Sequence, residues 1–177
     1  IAAAEVLFVN TMSSIFAIQS GDIALAFLSA SLFAASAGFL VWNWPPAKLF
    51  MGDVGSGSLG FILGVLALAS MHSGTLTVWT WLILLGVFVV DSTVTLIVRF
   101  INKEKWYEGH SSHAYQNAAR RWGSHERVVI SILLVNIMWL APLSWLSFLY
   151  PKNGFYICFV ALAPLLYLCV KFRAGMR

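Results

Sequence analysis

A polar stretch interrupts the apolar sequence at residues 43–57, with the order Asn43-Trp44-Pro45-Pro46-Ala47-Lys48-Leu49-Phe50-Met51-Gly52-Asp53-Val54-Gly55-Ser56-Gly57. Its two prolines exclude the interior of a helix, because each lacks a backbone N–H and has a fixed φ. Its three glycines permit backbone conformations that other residues resist. Ser56 comes directly before an apolar run, where the N-cap of a helix is expected. The pattern therefore predicts a tight turn that holds Asp53 and opens onto the N-terminus of a helix.

Two interpretations of Asp53 stay open at this level. Aspartate and glycine dominate turns for simple backbone reasons, so Asp53 could do no more than cap the turn. Alternatively, a carboxylate beside a helix N-terminus suits a hard cation and the anionic oxygens that the cation bridges. On this second interpretation, Asp53 is a metal ligand.

Composition places the chain in a membrane. Of its 177 residues, 60% are hydrophobic and 10% are charged, whereas an ordinary soluble domain has about 25% charged residues. We therefore predict an all-α, polytopic helix bundle with about six transmembrane helices, in a single membrane domain over residues 1–177. Most of the six apolar runs meet the length of about 20 residues that a spanning helix needs: 2–19, 23–42, 58–71, 76–101, 128–150 and 155–172.

The positions of the basic residues predict the orientation of this bundle. With six spans, the two long loops, 43–57 and 102–124, fall on the same side of the membrane as the C-terminus. Ten of the 11 lysines and arginines lie on that side, and only Lys152 lies on the other. This excess of positive charge predicts that both loops are cytoplasmic. Membrane topology thus accounts for the net charge of +4, which does not indicate a nucleic-acid partner.

Two acidic residues lie inside predicted spans. Asp91 is in the fourth apolar run, where an unpaired carboxylate is costly and a partner is expected. One interpretation is a structural hydrogen bond, for example to Thr95 one turn further on. The other is an acid that lines a cytoplasmic cleft. Glu5, in the first run, is interpreted as a structural or interfacial residue.

The second long loop carries histidines followed by arginines. His110 and His113 are three residues apart, so they share one face if the segment is helical. With Arg120 and Arg121 behind them, these side chains form a site for phosphate oxygens. A solvated basic loop is one alternative. A His-x-x-His metal pair is another, although no third soft ligand that would complete a zinc site is nearby.

Two of these stretches resemble one enzyme family. The segment 50–56, Phe-Met-Gly-Asp-Val-Gly-Ser, preceded by Pro46-Ala47-Lys48, resembles a signature of the polyprenyl-phosphate N-acetylhexosamine-1-phosphate transferases. The segment 110–117 resembles the histidine motif of the same family, in the form His-Arg-Ser-His-Ala-Tyr-Gln of the branch that starts O-antigen synthesis. This chain has Ser111 where that form has arginine. The likeness extends from about Ala4 to Arg121.

The resemblance implies the transfer of an N-acetylhexosamine-1-phosphate from a UDP-N-acetylhexosamine to polyprenyl phosphate, with UMP as the leaving group. It implies Mg²⁺, with Mn²⁺ as an alternative, held by Asp53. It also implies catalytic roles for Asp53, Asp91, His110 and His113. The residues for which it implies substrate binding are Asn43, Lys48, Gly55, Ser56, Arg120 and Arg121.

The matched motifs belong to the C-terminal half of that family. The chain is therefore expected to be the C-terminal part of a longer transferase, and to be inactive alone. The implied location is the bacterial inner membrane, with the catalytic loops and the C-terminus in the cytoplasm, and the lipid bilayer and a homodimer partner are among the implied contacts.

Two other functions compete with this one. The chain could be a non-catalytic transport or scaffold segment whose polar loops bind anions. A membrane transferase for CDP-alcohols is disfavoured, because no multi-aspartate helix motif occurs in the sequence.

Overall fold

The computed structural model describes residues 1–44, 46–104 and 111–176, and every regular element in this part of the chain is a helix. A π-helical turn at Asn136–Leu140 joins the seventh helix to the eighth, and a 3₁₀ turn at Pro151–Asn153 precedes the ninth. The α-helices are α1 (Ala2–Ser20), α2 (Ile23–Asn43), α3 (Gly52–His72), α4 (Val78–Leu84), α5 (Gly86–Ile101), α6 (Ala114–Trp122), α7 (His125–Val135), α8 (Ala141–Leu149) and α9 (Gly154–Lys171).

Most of these helices have the length and composition of membrane spans. Helices α4 and α5 together make one candidate span that is bent by 82°. The protein is therefore a multi-pass membrane protein, and the predicted all-α, polytopic bundle is confirmed. Five helical stretches are long and apolar enough to cross a membrane: Ala2–Ser20, Ile23–Asn43, Gly52–His72, His125–Leu149 and Pro151–Lys171.

The apolar run predicted as one span over residues 76–101 is present as a bent pair of helices. The run divides at Leu85 into α4 and α5. Gly86 lies at this break, and a Cβ on it would lie 2.9 Å from the side chain of Leu162 and 3.2 Å from that of Leu165. Helix α9 thus packs closely against the break, at a residue without a side chain.

Helix α1 lies inside the bundle, where it packs against α2, α4 and α7. Its Phe16 stacks on Phe148 of α8 with the ring centroids 4.7 Å apart. Hydrogen bonds between small or aromatic polar side chains also join the helices, as is usual where lipid replaces water. Three of them are Ser13 with Ser29 (3.1 Å), Thr80 with Ser147 (3.0 Å) and Trp81 Nε1 with Ser70 Oγ (2.7 Å).

Glu5 has a structural partner inside the bundle. Its side chain is fully buried, and Asn136 Nδ2 donates to its Oε2 at 2.5 Å. Asn136 opens the π-helical turn, and Pro142 follows in the first turn of α8. Because proline cannot donate a helical hydrogen bond, a local change of helical register beside it is expected. The structural interpretation of Glu5 is therefore confirmed.

The connections between spans separate into two ends of the bundle. At one end, which we call the turn end, Asp22 between α1 and α2 accepts hydrogen bonds from Ser73 and Thr75 between α3 and α4. Gly154 at the start of α9 packs against Trp79 of α4 at this end. The three short connections between spans, 21–22, 73–77 and 150–153, therefore lie at the same end of the bundle.

The other end, which we call the loop end, holds the described residues of the two long loops. Residues of the polar stretch and Tyr115 of α6 line one cavity there. Asn117 of α6 donates to the carbonyl of Phe172, directly after α9. For the described residues of both long loops and of the segment after the last span, the prediction that they share one side is confirmed.

The Asp22 cluster should make the stability of the turn end depend on pH. Hydrogen bonds from the Leu25 N–H and from the Thr75 and Ser73 hydroxyls lower the pKa of Asp22 below its ordinary value. A carboxyl whose pKa is lower in the folded protein stabilises the fold above its unfolded pKa of about 3.9, and this contribution is lost as the pH falls through the folded pKa. We expect the melting temperature of the protein in detergent to fall more steeply below about pH 4 than that of Asp22→Asn. Equal slopes for the two proteins would contradict this assignment.

Candidate functional site

Helix α3 begins earlier than the sequence pattern indicated. Its first residue, Gly52, has a φ of 65°, in the left-handed region that favours glycine, and Met51 precedes it as the N-cap. Asp53 therefore lies exposed in the first turn of the helix. Ser56 lies within the helix, where its Oγ donates to Gly52 O at 3.1 Å. The prediction of Ser56 as N-cap is wrong, because the helix starts one turn sooner. Gly55 gives room to Met51, since a Cβ there would lie 2.6 Å from Met51 Cγ.

Two other residues of the polar stretch have local partners. Asn43 Nδ2 donates to Leu49 O at 2.8 Å, which closes the stretch into a loop. Lys48 Nζ lies 5.9 Å from the centroid of the Trp42 ring, at the limit of a cation–π contact. The Lys48 side chain is exposed at the loop end, where it can meet an anionic group.

Asp91 joins α5 to the start of α6. Its Oδ1 accepts from the backbone N–H of Ala114 at 2.8 Å, and its Oδ2 lies 3.4 Å from the N–H of Tyr115. Thr95 Oγ1 also donates to Oδ1, at 3.2 Å. The predicted bond to Thr95 is thus present, and the carboxylate in addition caps the first N–H groups of α6, which have no partner within that helix.

His113 is the N-cap residue of α6 and lies beside the same carboxylate. Its Nδ1 is 3.6 Å from Asp91 Oδ1, and its backbone N–H donates to Gln116 Oε1 at 3.1 Å. Its ring stacks on that of Tyr115 with the centroids 5.5 Å apart. Asp91 therefore fixes the backbone after His113 and faces its ring. The other predicted histidine, His110, lies outside the described residues.

A cavity of about 610 Å³ brings several predicted site residues together. Its volume is in the range of small-molecule sites. Asp53 is not among the described residues that line it, but lies one helical turn before Ser56, on the same face of α3. We call the cavity of about 610 Å³ the central cavity. Its lining residues come from α1 (Ala2, Val6), α3 (Ser56, Leu59, Gly60, Leu63), the α4–α5 region (Leu85, Phe88, Val89, Asp91, Ser92, Thr93) and the start of α6 (His113, Tyr115).

A second cavity, of about 580 Å³, adjoins the first. Ala2 and Tyr115 line both cavities, so the two cavities border each other at these residues. Asn43 lines the second cavity, together with Phe50 and other residues of the polar stretch. Described residues of the loop 43–50 and Tyr115 at the start of α6 thus line the same second cavity.

Tyr115 is the site residue that the sequence analysis missed. Burial, and then the negative charge of Asp91, raise the pKa of Tyr115 above its ordinary value. The phenol is therefore neutral at physiological pH and can donate a hydrogen bond inside the cavities. Its position two residues after His113, within the histidine motif, is the signal that could have indicated it.

The two predicted arginines differ in their surroundings. Arg120 Nη2 donates to the carbonyl and, at 2.7 Å, to the hydroxyl of Ser111. Its Nη1 donates to Asn117 Oδ1 at 2.8 Å. Arg121 is exposed on α6. The guanidinium of Arg120 therefore lies at the position in the histidine motif where this chain has serine.

The available side chains limit the kind of metal site that this part of the chain can form. Among the described residues, no three His, Cys, Asp or Glu side chains are grouped as metal ligands. The Asp91 oxygens already accept hydrogen bonds, whereas Asp53 is an exposed carboxylate. Mg²⁺ is usually bound through one or two carboxylates, with water and substrate phosphates as its other ligands. Asp53 fits such a partial site as its protein ligand.

Comparisons with known proteins give a family match and several relatives. A family model described as glycosyl transferase family 4 matches residues 1–71. A probable undecaprenyl-phosphate N-acetylglucosaminyl 1-phosphate transferase of Bacillus subtilis (strain 168) is 30% identical over 139 residues, which are 77% of this chain and 38% of the relative. A phospho-N-acetylmuramoyl-pentapeptide-transferase of Streptococcus thermophilus (strain CNRZ 1066) is 37% identical over 99 residues, which are 54% of this chain and 27% of the relative. The chain thus spans less than two fifths of the length of these relatives. No solved structure matches it.

Proposed function

Because this chain belongs to glycosyl transferase family 4, we propose that the protein that contains it transfers a sugar-1-phosphate from a UDP-sugar to a polyprenyl phosphate. The donor we propose is a UDP-N-acetylhexosamine, and the product is a lipid-linked diphosphate sugar that starts a cell-envelope glycan. One observation carries the proposal: residues of two distant stretches, Ser56 of α3 and His113 beside Asp91, line one cavity.

The proposed reaction exchanges one bond at phosphorus for another. An oxygen of the polyprenyl phosphate forms a bond to the β-phosphorus of the UDP-sugar, and the bond from that phosphorus to UMP breaks. Such a transfer depends on positioning and charge stabilisation more than on covalent chemistry by the protein. When bound, Mg²⁺ supplies charge neutralisation on the diphosphate oxygens, and Asp53 would hold it.

The cavity residues have separate roles in this proposal. His113, with its Nδ1 toward Asp91, binds a phosphate oxygen through its imidazole ring. The Tyr115 hydroxyl donates to the same group of oxygens. Arg120 binds phosphate from the rim of the site, in the role that the resemblance gives to an arginine at position 111. Lys48 attracts the anionic headgroup of the acceptor to the loop end.

We place the loop end on the cytoplasmic side of the bacterial inner membrane. Ten of the 11 lysines and arginines of the chain belong to this end by sequence, which favours the cytoplasmic side. The charged donor would then approach from the cytoplasm and the acceptor from the bilayer. The homodimer partner and the O-antigen pathway stay predictions.

A direct assay tests the proposal. The full-length protein that contains this chain would be purified in detergent and mixed with UDP-N-acetylglucosamine, undecaprenyl phosphate and Mg²⁺. We expect release of UMP together with a lipid-linked diphosphate sugar, and neither product when the lipid or the metal is left out. Binding of the nucleotide sugar without UMP release, in the presence of the lipid and metal, would instead favour an anion-binding transport or scaffold segment.

Replacement of Arg120 should weaken donor binding. A charge-assisted hydrogen bond to phosphate contributes about 1.5–3 kcal/mol, so we expect Arg120→Ala to raise the KM for the UDP-sugar about tenfold or more. Arg127→Ala, at an exposed arginine near the start of α7, is the matched control and should change this KM little. Equal KM values for the two variants would remove Arg120 from the donor site.

A further inference from the structure

We propose that the turn after α9, residues 172–176, is a positioning element for the site made by Asp91 and His113. The expected effect on turnover rests on the proposed function. The contacts of the turn with the site do not depend on that function. The described residues of the turn are not among those that line the central cavity. The turn acts on the site through its contacts with α5, with α6 and with the segment that leads into α6.

The turn itself is folded against the bundle. Arg173 has a φ of 52° and Gly175 has a φ of 80°, so the chain reverses through two left-handed residues. A non-glycine residue in this region is disfavoured and persists when its surroundings hold it. Ala174 is 2% exposed, and its N–H donates to Cys169 O at 2.9 Å. The segment is thus ordered by tertiary contacts, unlike a frayed helix end.

Asn117 fastens the turn to α6. Its Nδ2 lies within hydrogen-bond distance of three carbonyl oxygens: those of Phe172 at 3.0 Å, Arg173 at 2.9 Å and Met176 at 3.3 Å. Its Oδ1 accepts from Arg120 Nη1 at 2.8 Å. One side-chain amide therefore couples the turn both to α6 and to the arginine that we assign to donor binding.

Gly175 fastens the turn to the residue directly before the site histidine. Its N–H donates to Ser112 O at 2.7 Å. On its other side it lies against α5, since a Cβ on Gly175 would be 2.8 Å from Val98 Cβ and 3.0 Å from Thr95 O. A glycine is needed here for two reasons, the positive φ and the close approach of α5.

These contacts connect Asp91 of α5 with His113 at the start of α6. Thr95, which borders Gly175, donates to the Asp91 carboxylate, and Ser112 leads into His113. If the turn is pushed away, the segment 111–113 loses the hydrogen bond from Gly175. The Asp91 carboxylate then has to hold the start of α6 without that support. We infer that the turn keeps His113 in register with Asp91.

Two variants disturb the turn in different ways. Gly175→Ala introduces a Cβ into the contact with α5. Asn117→Asp keeps an oxygen for Arg120 but places a carboxylate against the three carbonyl oxygens. Gly74→Ala is the matched control for backbone strain, because Gly74 has a φ of 75° at the turn end and no atom within 4 Å of its Cβ position.

The test uses the full-length protein and two measurements. Hydrogen–deuterium exchange reports the backbone amides of residues 112–116, and steady-state kinetics reports kcat per folded protein and both KM values. For Gly175→Ala and Asn117→Asp we expect faster exchange of these amides and a kcat lower by about 10- to 100-fold, which is the scale of catalytic loss from small misplacement. The KM of the polyprenyl phosphate should stay the same, and Gly74→Ala should behave as the parent protein in both measurements.

The outcomes separate this proposal from the proposed function. Unchanged exchange at residues 112–116 in both variants would overturn the positioning role, and so would faster exchange with an unchanged kcat in an active enzyme. If Gly175→Ala fails to fold, Asn117→Asp decides between these results. An inactive parent protein would overturn the transferase assignment, while faster exchange in the variants would still support the structural coupling.

Discussion

The substitution Asp53→Asn should lower UMP release by about 100- to 1,000-fold or more, which is the scale of losing one electrostatic contact to the transferring group. Asp53 is exposed in the first turn of α3, one turn before Ser56 at the central cavity. Asparagine has the same shape and removes the negative charge that a divalent cation requires. A first-turn carboxylate stabilises a helix by about 0.3–1 kcal/mol, so the variant should still fold and insert normally.

The matched control for this variant is Glu126→Gln. Glu126 is also an acidic residue in the first turn of a helix, α7, and it is exposed. The same loss of charge there should leave UMP release unchanged. A titration with Mg²⁺ adds a second measurement, because the residual activity of Asp53→Asn should need more metal than the parent protein does. UMP release at the parent rate in Asp53→Asn would remove Asp53 from the metal site.

Replacement of Asp91 should lower both activity and stability. In Asp91→Asn, one oxygen of the carboxylate becomes an NH₂ group that faces N–H and hydroxyl donors, so the N–H groups of Ala114 and Tyr115 cannot both be satisfied. The loss of a buried hydrogen-bond partner costs about 1–3 kcal/mol, and more where a charge is involved. We expect a lower unfolding midpoint in detergent. We also expect a fall in kcat of about 100-fold, because the Asp91 carboxylate no longer holds His113 in place.

Thr95→Val is the graded control for Asp91. It removes one donor to the carboxylate and leaves the two backbone bonds to α6 in place. Its stability should fall by about 1 kcal/mol, the usual contribution of one hydrogen bond, with most of the activity retained. If Asp91→Asn instead lowers stability and keeps full activity, then Asp91 is only a packing partner of α6.

Local sequence patterns predicted most of the helices correctly. The first and second spans, at Ala2–Ser20 and Ile23–Asn43, match the predicted runs to within one residue at each end. The errors fall where distant residues decide the local structure. The run 76–101 is bent at Leu85, where α9 packs closely on Gly86, and no pattern within that run contains the contact with Leu162.

The same reason explains the errors at the site. The motif residues Asp53, Asp91 and His113 could be singled out from composition, spacing and resemblance. Their geometry could not, since Asp91 takes its donors from α6, which follows a long loop. The N-cap assignment of Ser56 was wrong because the left-handed Gly52 lets the helix begin one turn earlier. Tyr115 was missed because its place between two cavities depends on α1 and on the loop 43–50.

By itself, the sequence determined that this chain is a helix bundle in a membrane and which segments span the membrane. It also determined which polar residues are candidates for the site. Those properties follow from the partition of each segment between water and lipid, which is a local matter of composition and length. Only the tertiary structure decided that α1, α3, the α4–α5 pair and the start of α6 line one cavity, and that the turn after α9 contacts the segment leading into α6. Those features depend on side-chain contacts and backbone hydrogen bonds between segments far apart in the chain, and no local pattern specifies them.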